Sequence, residues 1–260
     1  MNESRRNFLK ITGSALVGAA WAAPVVKALS ESRRTMPRPE RLRAKRWALA
    51  IDVEKCSSPE VQRACTDACH SVHNVPHVPD PRHEIKWIWP EKFEHAFPMQ
   101  AHGALSEDLK SKKVMVLCNH CERPPCVRVC PTKATFKRPD GIVMMDMHRC
   151  IGCRYCMAAC PYGARSFNFE DPVKYLGDTK SSFPHRTKGV VEKCTFCADR
   201  LARGLEPACV EAANRIAGSG AMVFGDVGDP GSEISRLLRG RRTMVRKPVL
   251  GTEPHVYYVL

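Results

Sequence analysis

"CIGCRYCMAACP" (150–161) sets four cysteines in the spacing C-x2-C-x2-C-x3-C-P. Three thiols this close, Cys150, Cys153 and Cys156, sit on one tight loop and reach three corners of a [4Fe–4S] cube. Gly152 carries no Cβ, so the backbone can approach the inorganic sulfides, where amide N–H groups stabilise negative charge. Cys160 lies one helical turn further on, before Pro161, and in runs of this spacing the fourth cysteine ligates a neighbouring cluster. A zinc site needs four donors, commonly as two pairs, and this run is not built that way.

The neighbouring cluster has its own run upstream. "CNHCERPPCVRVCP" (118–131) is spaced C-x2-C-x4-C-x3-C-P, with Pro124 and Pro125 widening the loop. Exchanging the fourth cysteines completes two sites. One is Cys118, Cys121, Cys126 and Cys160; the other is Cys150, Cys153, Cys156 and Cys130.

Two further groups are less regular. "CTFCADRLARGLEPAC" (194–209) supplies Cys194, Cys197 and Cys209, but "CVEAAN" (209–214) has Ala213 where a fourth cysteine would fall. "CSSPEVQRACTDACH" (56–70) supplies Cys56, Cys65 and Cys69 and lacks the second cysteine of the run. If these groups exchange their last cysteines in the same way, Cys69, Cys194, Cys197 and Cys209 form a complete site. Both missing ligands then fall on one remaining site, with only Cys56 and Cys65. The expectation is three [4Fe–4S] clusters and one vacant site. Cys56 and Cys65 are then buried thiols, or a short disulfide staple; His70 and His73 are the alternative ligands that would rescue a fourth cluster.

Fourteen cysteines among 260 residues, with 20 prolines and few aromatics, suggest a loop-rich fold ordered as much by metal as by side-chain packing. At the N-terminus "SRRNFLK" (4–10) precedes a mild apolar stretch (11–26). Arg5, Arg6, Phe8 and Lys10 match a twin-arginine export signal. Cleavage after Ala22 and an uncleaved tether are both open readings, but the stretch is too short and too rich in Gly and Ala for a full span. This route exports folded proteins, so folding ends where thiols stay reduced, and a disulfide scaffold is disfavoured. The net charge is +14; residues 1–30 hold four cations and one acid, so +11 stays with the rest. Export removes nucleic acid as a partner. The basic segments 33–46 and 236–247 are left for anionic headgroups, an acidic subunit or solvent, and part of the excess balances buried negative clusters.

Strands are expected at 46–52, 114–117, 142–146, 165–169 and 221–224, and a helix at 229–238. The stretch "EIKWIWPEKFEHAFP" (84–98) alternates Trp87 and Trp89 with Ile85 and Ile88, as a half-buried strand or a docking insert would. No catalytic motif and no Gly-rich phosphate loop is found. Without C-x-x-C-H the chain attaches no c-type haem.

Over residues 48–260 the chain resembles the ferredoxin-like subunits of respiratory complexes such as polysulfide, tetrathionate and nitrite reductases. The resemblance rests on residues 118–136, on "KCTFCADRLARG" (193–204), "PACVEA" (207–212), "FGDVGDP" (224–230) and "GTEPHVYY" (251–258). It is most similar to the exported DsrO-type ferredoxins of dissimilatory sulfite-reduction membrane complexes. The resemblance implies an α+β ferredoxin-like fold of two fused two-cluster modules, here with one cluster site lost. The expected divisions are 1–30 signal, 31–47 basic linker, 48–117 with 191–225 outer module, 118–190 inner module and 226–260 basic extension. It also implies a relay of single electrons without substrate chemistry. The implied partners are an NrfD-like integral membrane subunit handling quinones and a multihaem cytochrome c, on the periplasmic face. A relay for an exported molybdopterin reductase is the alternative; a zinc-stabilised binding module and a disulfide-linked structural protein are the others weighed.

Overall fold

The computed structural model describes residues 42–100, 106–177 and 182–260. The chain divides into Met1–Arg41 and Leu42–Leu260. The twin-arginine motif, Ala22 and most of the basic linker lie outside the described residues.

The described strands are β1 (Trp47–Asp52), β2 (Ile88–Lys92), β3 (Lys113–Leu117), β4 (Thr135–Lys137), β5 (Val143–Met145), β6 (Ser166–Phe167), β7 (Val191–Glu192), β8 (Met222–Asp226), β9 (Thr243–Met244) and β10 (Val256–Val259). The three longest helices are α1 (Pro59–His73), α2 (Ala208–Ala217) and α3 (Glu233–Gly240). One mixed sheet has the order β8-β1-β10-β9, and β2-β3, β4-β5 and β6-β7 are separate antiparallel pairs. All five expected strands are present, several of them shorter than expected.

Strand β1 is apolar on both faces because both are covered. Trp47, Leu49 and Ile51 enter the main core, while Ala48 and Ala50 meet Ile234 of α3 with Val223 and Val259. The Ser232 side chain caps α3 by accepting from Ser235 N at 3.2 Å, so the helix starts after residues 229–231 and Pro230 stands outside it. The segment 226–260, expected as an extension, is part of this sheet. β10 pairs parallel with β1, Leu49 opposite Val256, and lies between β1 and β9.

The apolar side of the stretch 84–98 belongs to the core, as a half-buried strand would. Ile85, Trp87, Ile88, Phe93 and Phe97 are all buried, Trp87 being 1 % exposed. Its indole N–H donates to Glu192 Oε2 at 2.7 Å. β2 then pairs with β3 along its whole length.

Helix α1 opens with Pro59 behind a Ser58 cap and closes on Asn74 in the left-handed region, φ 49°. Its inward stripe is Val61, Cys65, Cys69 and His73, spaced one turn apart. The facing side of α2 offers Cys209 and the small residues Ala212 and Ala213. Their size lets the backbones approach, and the Cys65 thiol donates to Cys209 O at 3.5 Å.

Candidate metal centre

The loops that hold the cysteines share a backbone feature that the sequence does not display. In Cys118–Cys121, Cys150–Cys153 and Cys194–Cys197 the residue before the second cysteine is left-handed. These are His120 (φ 42°), Gly152 (φ 71°) and Phe196 (φ 51°). A non-glycine residue there costs about 1–2 kcal/mol, and His120 and Phe196 meet it together, their rings stacked at 3.7 Å. The turn curls each pair of thiols to one side of its loop. Cys56 lies instead in a short 3-10 turn, Lys55–Ser57.

Gly152 has a further constraint. A Cβ there would sit 2.3 Å from Gly189 O and 3.1 Å from Phe167 Cε2. The close approach is therefore to the 189 carbonyl. Gly152→Ala is expected to lower stability by about 1–3 kcal/mol through overpacking, measured by denaturant unfolding of the anaerobic holo-protein.

Cys118, Cys121, Cys126 and Cys160 line one partly enclosed, almost wholly apolar cavity with Tyr162 and Arg165 on its wall. Burial, then the neighbouring Cys118 thiol, pushes the Cys121 pKa up to about 12, and does the same in direction for Cys160. Cys121 and Cys160 therefore need a cation beside them to ionise, and iron binding would supply it while releasing their protons.

A second set is more open. Cys130 and Cys150 are half-buried, Cys153 is exposed and Cys156 is buried. Cys130 and Cys150 pack on the small core that contains Cys126, Cys156, Val143 and Val191. Burial opposes ionisation of Cys130. The Thr135 backbone N–H, 3.5 Å from its sulfur, and the Thr132 hydroxyl outweigh that and hold its pKa below the ordinary value.

The third set joins segments far apart in the sequence. Cys69 of α1 stands beside Cys197, Cys194 and Cys209. Burial first, and then these neighbouring thiols, raises its pKa well above the ordinary value. His73, one turn on, stacks on Trp87 at 4.8 Å and donates from Nδ1 to Cys69 O at 3.0 Å. It stands at this set, not at Cys56 and Cys65, and His70 is drawn to neither.

Cys56 and Cys65 are free thiols in the main core, with Ala213 fully buried among the same residues. The Cys56 thiol donates to Ala221 O at 3.2 Å. Burial pushes both pKa values up to about 12. The Gln62 amide donates to three carbonyls here, Cys56 O, Ser57 O and Lys113 O. Hydrogen bonds internal to the protein thus occupy these groups.

The sets adjoin in a definite order. Cys156 is near Cys126, Cys194 near Cys118, and Cys209 near Cys65. The set of Cys130, Cys150, Cys153 and Cys156 is therefore terminal, and that of Cys118, Cys121, Cys126 and Cys160 stands in the middle. Crossing over joins sets that pair side by side, so the two pairs follow one another.

Among the described residues, no three His, Cys, Asp or Glu side chains are arranged to hold a single metal ion. Thiolates on one tetrahedral zinc at about 2.3 Å would converge tightly. The grouped donors are all thiols, and their softness suits iron–sulfur chemistry.

Residues 111–174 match the family described as "4Fe-4S dicluster domain". The chain is 44 % identical to Hdr-like menaquinol oxidoreductase iron-sulfur subunit 1 of Archaeoglobus fulgidus, over 98 % of this chain and 97 % of that one. It belongs to the family of iron–sulfur subunits of oxidoreductase complexes. Within that family it is 35 % identical to a tetrathionate reductase subunit of Salmonella typhimurium, over 100 % of this chain and 89 % of the relative. It is 37 % identical to a polysulfide reductase subunit of Wolinella succinogenes, over 83 % of this chain and 95 % of the relative. Membership makes it a ferredoxin-like, 4Fe–4S electron-transfer subunit and not the catalytic subunit of its complex.

Sequence reasoning missed the buried charges around the thiols. Arg186 pairs with Glu192 at 2.7 Å with both side chains buried, beside Cys69 and beneath Trp87. Arg165 and Lys193 are buried with no carboxylate in ion-pair distance among the described residues. Nothing in "GARSF" or "VEKC" marks these cations as interior, because only tertiary packing closes over them.

Proposed function

We propose that the chain is an exported one-electron relay carrying three [4Fe–4S] clusters, with the fourth position of a two-module ferredoxin lost. The observation that carries this reading is the left-handed cysteine turn, made three times and absent at Cys56. Cys118, Cys121, Cys126 and Cys160 would hold one cluster; Cys130, Cys150, Cys153 and Cys156 a second; Cys69, Cys194, Cys197 and Cys209 the third. Each cluster, when bound, accepts and returns one electron. The protein excludes water from two of the sets and supplies hydrogen bonds and charge to all three. Gln62 and Ala213 fill the position where a fourth would stand.

Electrons enter or leave at the terminal set, where Cys153 is exposed between Ile151, 67 % exposed, and Tyr155, 60 % exposed. Among the described residues no helix is long and apolar enough to cross a membrane. Membrane association then comes through partners: an NrfD-like quinone-handling subunit, and a multihaem cytochrome c, in a DsrO-type sulfur-metabolism complex on the periplasmic face. The name of the Archaeoglobus relative, a menaquinol oxidoreductase subunit, supports the quinone link. A second reading, the relay of an exported molybdopterin reductase, is favoured by the end-to-end similarity to the tetrathionate reductase subunit.

Anaerobic purification of the tagged chain from native membranes tests both. An NrfD-like subunit with a haem protein is the expected companion; a molybdopterin subunit in its place supports the second reading, and neither contradicts both. In the same cells, replacing Arg5 and Arg6 with Lys is expected to strand holo-protein in the cytoplasm. Normal export of that variant overturns the assignment of the signal.

A further inference from the structure

Three buried cations have no carboxylate within ion-pair distance among the described residues. Arg165 is 5 % exposed; its Nη1 donates to Thr135 Oγ1 at 3.2 Å, and its Nη2 has no hydrogen-bond partner. Its guanidinium lies on the wall of the cavity formed by Cys118, Cys121, Cys126 and Cys160. Lys193 is 0 % exposed, and its ammonium donates to Cys194 O at 2.6 Å and to Val143 O. Val143 belongs to the wall of the same cavity. Arg246, also buried, lies 5.4 Å from the ring centre of Tyr162, on that wall too.

An isolated buried charge is costly unless a counter-charge answers it. Among the described residues, the groups placed to answer are thiols. Arg165 lines the cavity together with Cys118, Cys121, Cys126 and Cys160, and Cys126 and Cys156 share the small core beside it. Cys126 belongs to the middle set and Cys156 to the exposed terminal one, so Arg165 stands at their junction. Lys193 stands at the other junction, between the middle set and Cys194.

We propose that Arg165 and Lys193 are the counter-charges of the centre held by Cys118, Cys121, Cys126 and Cys160, and make it the first of the three to be reduced. This rests on the reading that these thiols hold clusters. Reduction adds negative charge, which nearby buried cations favour, so each cation raises the potential of the centre it faces. The middle centre faces both. The exposed centre shares only Arg165, since its surface cations Arg149 and Arg154 are screened by water. The third centre shares only Lys193 as an unpaired buried cation, because Arg186 beside it is neutralised by Glu192 and Arg200 beside Cys197 by Glu211.

The test is a redox titration of the anaerobic holo-protein followed by electron paramagnetic resonance, with iron counted separately. In Arg165→Gln and in Lys193→Gln alike, the highest-potential signal is expected to become at least tenfold harder to reduce, about 59 mV for a one-electron couple. Each of the other two signals should fall in only one of the variants. A wild-type protein with fewer than three clusters defeats the underlying reading. Three clusters whose highest-potential signal moves in neither variant, or in only one, overturn the inference alone. Should a Gln variant fail to load iron, Arg165→Lys and Lys193→Arg decide. Both keep the charge and are expected to keep the order of reduction; a tenfold change of order in either overturns the proposal.

Discussion

Cys69→Ser is expected to remove one whole cluster, about four of about twelve iron atoms per chain, although Cys69 is far in sequence from its three companions. Cys69 stands beside Cys194, Cys197 and Cys209 because α1 packs across α2. A serine hydroxyl is a hard, weakly acidic donor and would replace the thiolate poorly. Three thiols would remain in an apolar site with an iron corner unprotected. Cys56→Ser, one core position away, should leave the iron count unchanged, since that thiol donates to Ala221 O. Iron and sulfide analysis after anaerobic reconstitution, with spin counts on full reduction, reads both variants. About sixteen irons in the wild type, or equal losses in the two variants, would contradict the three-cluster reading.

Glu192→Ala should be the most destabilising single change in the described residues outside the cysteines, by about 3–5 kcal/mol. Glu192 Oε2 accepts from Arg186 Nη2 and from the Trp87 indole, each at 2.7 Å, and Oε1 accepts from Asn168 at 2.6 Å. Burial raises the Glu192 pKa and lowers that of Arg186, so neither charge survives inside without the other. Removing the carboxylate strands the guanidinium, whose other partners are the carbonyls of His73, Asn74 and Pro184. The double variant Arg186→Met with Glu192→Ala should recover much of the loss, because no buried charge is then left unpaired. Denaturant unfolding of the anaerobic holo-proteins provides the double-mutant cycle. Additive losses would show that the pair is not coupled.

The local part of this protein is written in its local sequence. Cysteine spacing locates the three loops, short apolar runs locate β1, β3, β5 and β8, and residues 229–238 announce a helix there, although its start at Ser232 comes from the structure. Spacing also marks Ala213 and the gap after Cys56 as departures from a repeated run. These signals survive in one dimension because loop geometry and capping depend on residues a few positions apart.

What the tertiary structure decided depends on segments that meet from opposite ends of the described chain. β10 enters beside β1, which turns an apparent basic tail into an inner strand. Trp87 and its neighbours turn inward, because Glu192 waits in the core to accept the indole N–H. The adjacency of the thiol sets makes the set of Cys130 and Cys150 terminal and its neighbour central. Arg165 and Lys193 read as ordinary surface cations until packing buries them with no carboxylate in ion-pair distance among the described residues. A charge's environment is a property of what surrounds it in space, and at low dielectric that environment determines its strength.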